Sequence, residues 1–197
     1  MTSPPELSRR TLETVFAPAE LITVPESRLD AVADPDARDV LRTLGLPVGK
    51  NPWFGLDNKI GERFRRIGED YDWELAERYS EVPLGAETWI PLGMIPYDSI
   101  VLDPDTGKVH CLPQDGEIYL FNSRLRYFVH FLYVLQAERP YFDVEWEGDD
   151  DDDLFDPEGA RTRIEAAMRS IDPVALEVPE SRWFDVLTSV VDPESDY

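Results

Sequence analysis

The residues equipped for reaction chemistry in this 197-residue chain are few. They are two histidines, His110 and His130, one cysteine, Cys111, and 41 Asp and Glu side chains. A Cys–His pair would supply a nucleophile and its base. His110 and Cys111, however, are neighbours on what reads as a strand, where successive side chains point to opposite faces. Cys111 therefore reads as a buried structural thiol. His110 and His130 approach one another only across a sheet–helix interface, and ordinary partly buried packing accounts for both. No Gly-x-Ser-x-Gly, His-Glu-x-x-His or Gly-x-x-x-x-Gly-Lys-Ser/Thr pattern occurs. A single cysteine excludes an intramolecular disulfide and a Cys-rich zinc site. Scattered carboxylates such as Asp70, Asp72, Glu74 and Asp98 would have to converge in space to act as an acid–base pair.

The carboxylates also invite a calcium test. An EF-hand loop needs oxygen ligands at positions 1, 3 and 5, glycine at 6 and glutamate at 12. Counted from Asp149, Asp151 and Asp153 fit, but Leu154 holds position 6 and Ala160 position 12. Counted from Asp103, position 6 is Lys108. No metal or cofactor is expected.

The acids outnumber 19 Lys and Arg, for a net charge of −22. A polyanion of this kind is repelled by nucleic acid and by anionic membranes, so neither is an expected partner. Hydrophobic residues make up 42% and aromatics 11%, enough for a folded core. The start of the chain, Met1 to Arg10, lacks the apolar stretch of a signal peptide. The longest nearly apolar run, Phe128 to Leu135, is eight residues, whereas a membrane span takes about 20. A soluble, cytoplasmic protein is expected.

The charge is concentrated. Residues 140–197 hold 18 acids and four Arg, a net −14. The window Asp143 to Glu158 has ten acids and no base, centred on Asp149-Asp150-Asp151-Asp152-Asp153. Five adjacent carboxylates cannot all be buried or paired, so the run is expected to be solvated. Such a run serves either as a solubilising linker or as a polyanionic surface for a basic partner. Tyr141, Phe142, Trp146 and Phe155 flank it, and Tyr and Trp are frequent interface anchors. The candidate partner-binding residues are Tyr141, Glu145, Trp146, Glu147 and Asp149, Asp150, Asp151, Asp152 and Asp153. The run sets the expected organisation: a main domain at 1–140, an acidic linker at 141–158, and a helical extension at 159–197 packing on the main domain.

These segments need a scaffold, and its elements are readable. Leu7 to Phe16 predicts a short helix, Leu21 to Val24 a strand, and Asp36 to Leu44 a helix started by Asp34-Pro35. Residues 51–87 predict irregular structure and short strands. The clearest signal is a meander. After a strand over 88–95 interrupted by Pro91, it comprises a strand at Ser99–Leu102, a turn at Asp103–Gly107, a return strand at Lys108–Leu112, and a third at Glu117–Phe121. Asn122 or Ser123 then caps a helix whose Leu125, Phe128, Val129, Leu132 and Leu135 fall on one face, laid across the sheet. Further helices are predicted from Pro157, with Ile164, Ala167, Met168 and Ile171 inward, and at Ser181–Val191, with Trp183, Val186, Leu187 and Val190 inward. The sum is an α+β fold.

The ordered set Trp89-Ile90-Pro91-Leu92-Gly93, Asp98 to Asp103, Thr106-Gly107-Lys108-Val109 and Leu120-Phe121-Asn122-Ser123 into Phe128 to Leu132 resembles the SUKH superfamily. Within it, the match is to the fourth branch of the bacterial SUKH immunity proteins. Leu44-Gly45-Leu46-Pro47 looks like that branch's helix-ending Gly-Leu-Pro. The resemblance covers about residues 5–137, with the acidic run and the tail outside it. It implies helices packed on a twisted antiparallel sheet and a non-enzymatic protein that neutralises a cognate polymorphic toxin in the cytoplasm. The toxin would be a basic protein, nuclease-type among the options. Two other readings stand beside it: a regulatory or scaffold module of the same fold, and an enzyme built on the carboxylates named above.

Overall fold

In the computed structural model, which describes residues 7–49, 51, 53–95, 97–144 and 155–192, a five-stranded antiparallel sheet organises the chain. Its strands are β3 (Gly55–Leu56), β4 (Ile90–Ile95), β5 (Asp98–Leu102), β6 (Val109–Leu112) and β7 (Tyr119–Asn122), side by side in chain order. A two-stranded ribbon precedes it, β1 (Leu21–Ile22) against β2 (Leu46–Pro47). The Gly-Leu-Pro segment thus both ends a helix and forms a strand. Gly45, at φ +80°, has no room for a Cβ, which would lie 2.9 Å from the Ile22 carbonyl oxygen.

The meander forms as predicted, with one correction. Pro91 does not interrupt β4; it sits in the strand at a register shift between Pro91 and Gly93. β3 pairs only with Gly93 and Met94, so no ladder partner on that side needs a Pro91 N–H. The Asp103–Lys108 turn closes as expected. Asp103 N–H donates to Lys108 O, the Asp103 carboxylate accepts from Asp105 N–H, and Gly107 takes φ +72°.

Helix α1 (Arg9–Leu12) is shorter than the predicted 7–16 span, although Leu12 and Phe16 are both buried. Helix α2 (Pro35–Asp39) is capped by the Asp34 carboxylate on Ala37 N–H and continues as a π-helical turn to Leu44. Helices α3 (Ile67–Asp70) and α4 (Leu75–Arg78) lie in the segment expected to be irregular. Helix α5 (Leu125–Glu138) buries all five residues of its predicted stripe. Its start is not capped by Asn122 or Ser123. Leu125 N–H donates to Gly107 O, while both polar side chains serve Asp172 instead. Helices α6 (Pro157–Ile171) and α7 (Arg182–Ser189) close the chain.

Period-two alternation gives the sheet two apolar faces. Ile100, Leu102, Val109, Cys111 and Phe121 join α5, α6 and α7 in one buried cluster that runs from Leu7 to Val190. Val101 and Leu112 face the other way, into a smaller cluster with Ile67, Leu75, Tyr79, Ala86 and Trp89. The 67–89 segment is therefore a lid on the second face of the sheet. It is fastened by hydrogen bonds: Tyr79 Oη donates to Pro113 O at 2.8 Å, and Ser80 Oγ donates to Glu117 Oε1 at 2.6 Å.

Candidate functional site

The acidic window springs from the end of α5. A 3-10 turn, Arg139–Tyr141, follows the helix, and Tyr141 O accepts from Asp156 N–H at 2.8 Å. The chain thus leaves and rejoins the body at one point. Arg163 of α6 holds this stem: its guanidinium lies 4.8 Å from the Tyr141 ring centroid and pairs with Glu138 at 2.8 Å and Asp156 at 3.1 Å. Asp156 also caps α6 by accepting from Gly159 N–H. That bond, then Arg163, holds its carboxyl below the usual range. On the other side, Arg139 pairs with Asp143 at 2.6 Å and sits over the Trp53 ring, which in turn touches Phe142 at 5.2 Å.

Of the residues nominated for partner binding, Tyr141 lies in this stem, partly buried under Arg163. Glu145, Trp146, Glu147 and Asp149 to Asp153 lie outside the described residues. The flanking apolar side chains divide. Phe142 is buried, whereas Val144 and Phe155 are exposed at the two edges of the window. Val144 was not singled out in the sequence, because an isolated aliphatic among acids carries no periodic signal.

The reactive residues do not assemble. His110 stacks on Trp89 at 4.3 Å on the second face of the sheet, whereas His130 is buried on α5 beside Tyr133. The two histidines therefore do not meet across a sheet–helix interface. Cys111 is fully buried on the opposite side of its strand from His110, and burial pushes its thiol up to about 12. Asp98 is buried and accepts from Gln114 N–H and Arg182 Nε–H, a partnership that also holds Arg182 firmly in its charged form. Asp70 pairs with Arg65, while Asp72 and Glu74 line a groove on the lid. Among the described residues no group of three or more His, Cys, Asp or Glu is placed to hold a metal, and no helix is long and apolar enough to cross a membrane.

Burial lowers the His110 pKa from 6.5 to about 4, and the buried His130 shifts in the same direction. Between those limits the unfolded chain binds the proton that folded His110 resists, so stability is lost as pH falls from about 6.5 to about 4. The loss is at most about 3 kcal/mol for His110. Urea unfolding midpoints across this range should fall, and His110→Gln should flatten the slope. An unchanged slope in the variant would remove His110 as the cause.

The arrangement is that of an α+β scaffold in which an ion-paired stem fastens the two ends of the acidic window. Within that class the chain belongs to the SUKH-4 immunity protein family, whose family model matches residues 7–189. Membership carries a toxin-immunity role in general terms. No curated protein and no solved structure matches the chain. The family match also corrects the extent read from the motifs, since it continues past residue 137 through α6 and α7. The tail belongs to the shared pattern because its side chains complete the core over α5.

Proposed function

We propose that this chain neutralises a basic cognate toxin in the cytoplasm by binding it, performing no chemistry of its own. The observation that carries the reading is the family match over residues 7–189. The stem supports a role for the acidic window. Closure between Tyr141 and Asp156 brackets eight of the ten acids of the window, and Val144 and Phe155 near its two ends are exposed. Opposite charge of this density raises encounter rates with a cationic partner by tenfold or more at low salt. Tyr141, Trp146 and the carboxylates from Glu145 to Asp153 are the proposed contact residues, within an interface of roughly 800 Å² on each partner. A nuclease-type toxin fits well, because an acidic surface competes with its nucleic acid for the same basic groove.

The test is co-expression with each candidate toxin domain encoded in the neighbouring genes. Cells should survive with the wild-type protein and die without it; death in both cases refutes the immunity role for that pair. Replacing Asp149 to Asp153 with Ser should slow association about tenfold at low salt and flatten its salt dependence. An unchanged association rate would return the run to the role of a solvated linker.

A further inference from the structure

We propose that the lid on the second face of the sheet is a docking surface for a Lys- or Arg-bearing segment of the partner, separate from the acidic loop. The inference rests on the immunity reading for the partner's identity and on geometry for the place.

Leu84 is the starting observation. Its relative exposure is 105%, the highest among the described large hydrophobic residues. It is not there by looseness of the chain. Ala86 N–H donates to Pro83 O at 3.1 Å, and Gly85 takes φ 81°, ψ 7°, the geometry of a type II turn. The turn is rooted by Ala86, fully buried in the cluster beneath the lid. A rigid turn thus holds an apolar side chain out into water, an arrangement that costs solvation and gains nothing for the fold.

Three residues on, Glu87 lines a groove of about 650 Å³ on the same lid segment. Ile67 and Leu75 form its apolar floor, and Tyr71 and Trp73, stacked at 5.1 Å, stand along it. Asp72, Glu74, Glu77 and Glu87 line its rim. None of these four carboxylates is in an ion pair among the described residues. The aromatic surface already accepts a guanidinium, because Arg78 lies 5.4 Å from the Trp73 ring centroid. An apolar floor, an aromatic wall and an uncompensated acidic rim are complementary to a cationic side chain with a long apolar stem. The lid is fastened to the sheet through Tyr79 and Ser80, so docking orders little that is not already ordered. The sheet lies between this groove and the α5–α6 side from which the acidic loop springs.

The experiment measures binding of the toxin domain that co-expression identifies to the full chain, to three lid variants and to Asp149 to Asp153→Ser. Leu84→Asp should weaken the complex at least tenfold. Because Leu84 touches no core residue through its exposed side chain, the unfolding midpoint should stay at the wild-type value. Glu74→Gln, Glu77→Gln and Glu87→Gln together should cut the association rate about tenfold at low salt. Leu84→Met should bind like the wild type. If the first two variants bind within twofold of the wild type while Asp149 to Asp153→Ser does not, docking belongs to the acidic loop and the inference falls alone. A wild-type protein that neither binds nor protects removes the immunity reading and this surface's partner with it.

Discussion

Alanine at position 183 will lower folding stability by about 3–5 kcal/mol, the range for truncating a fully buried aromatic. Trp183 is fully buried, although it belongs to a helix near the end of the chain. Its ring stacks on Phe121 of β7 at 4.6 Å and meets Phe131 of α5 edge-on at 5.1 Å. Its indole N–H donates to Asn122 Oδ1 at 3.3 Å, and Asn122 Nδ2 donates to Asp172 at 3.1 Å. Asp172, almost fully buried at the end of α6, also accepts from the backbone and the hydroxyl of Ser123. Truncation at 183 therefore opens a cavity between sheet and helices and strips a partner from a buried amide at once. Denaturant unfolding of the full chain is the measurement. Trp183→Phe should recover part of the loss, because it keeps an aromatic ring on the stack while giving up the N–H and part of the indole volume. A loss under about 1 kcal/mol would show that the tail merely rests on a core complete without it.

That result bears on what the chain discloses before folding. The meander was legible because each strand alternates and each turn carries its own chemistry, with Asp103 and Gly107 doing locally what the turn demands. The α6 and α7 helices were legible too, through the inward spacing of Ile164, Met168, Trp183 and Leu187. Their packing on the main domain was expected, but periodicity shows only which side is apolar and is silent on which residues cover it. The acidic run precedes both helices, and one buried cluster draws residues from either side of it. Capping failed as a signal for the same reason. Asn122 and Ser123 have the right chemistry to start α5, but a carboxylate fifty residues downstream claims them. The lid was least legible. Its two helices are four residues each, too short for a period, and they hold their place through Tyr79, Ser80 and Glu117 across more than thirty residues of sequence. Of the candidate site, the acidic segment and Tyr141 stood out by composition, while the groove on the lid has no local signature at all.

The second large effect is expected at Arg182. Arg182→Met should destabilise the fold by about 3 kcal/mol, as expected when one member of a buried ion pair is removed. The asymmetry of the pair decides which member matters more. The Asp98 side chain is 1% exposed, whereas the Arg182 side chain is 31% exposed. Without its partner, Arg182 can turn to water and keep its bond to Asp185. Among the described residues, Asp98 without Arg182 retains Gln114 N–H at 2.9 Å as its side-chain partner and cannot move, because it begins β5 and is held in the ladder opposite Ile95. The double variant Asp98→Asn with Arg182→Met should therefore be more stable than Arg182→Met alone. Asparagine keeps an oxygen for Gln114 N–H and carries no charge to leave stranded. The coupling in this cycle, read from urea unfolding, should exceed about 1 kcal/mol, as expected for residues in direct contact. Additive losses would mean that the pair is decoration on a helix start already fixed by Arg182 N–H donating to Tyr119 Oη. Coupled losses would place the anchor of α7, and with it the seat of Trp183, in one buried carboxylate at the corner of the sheet.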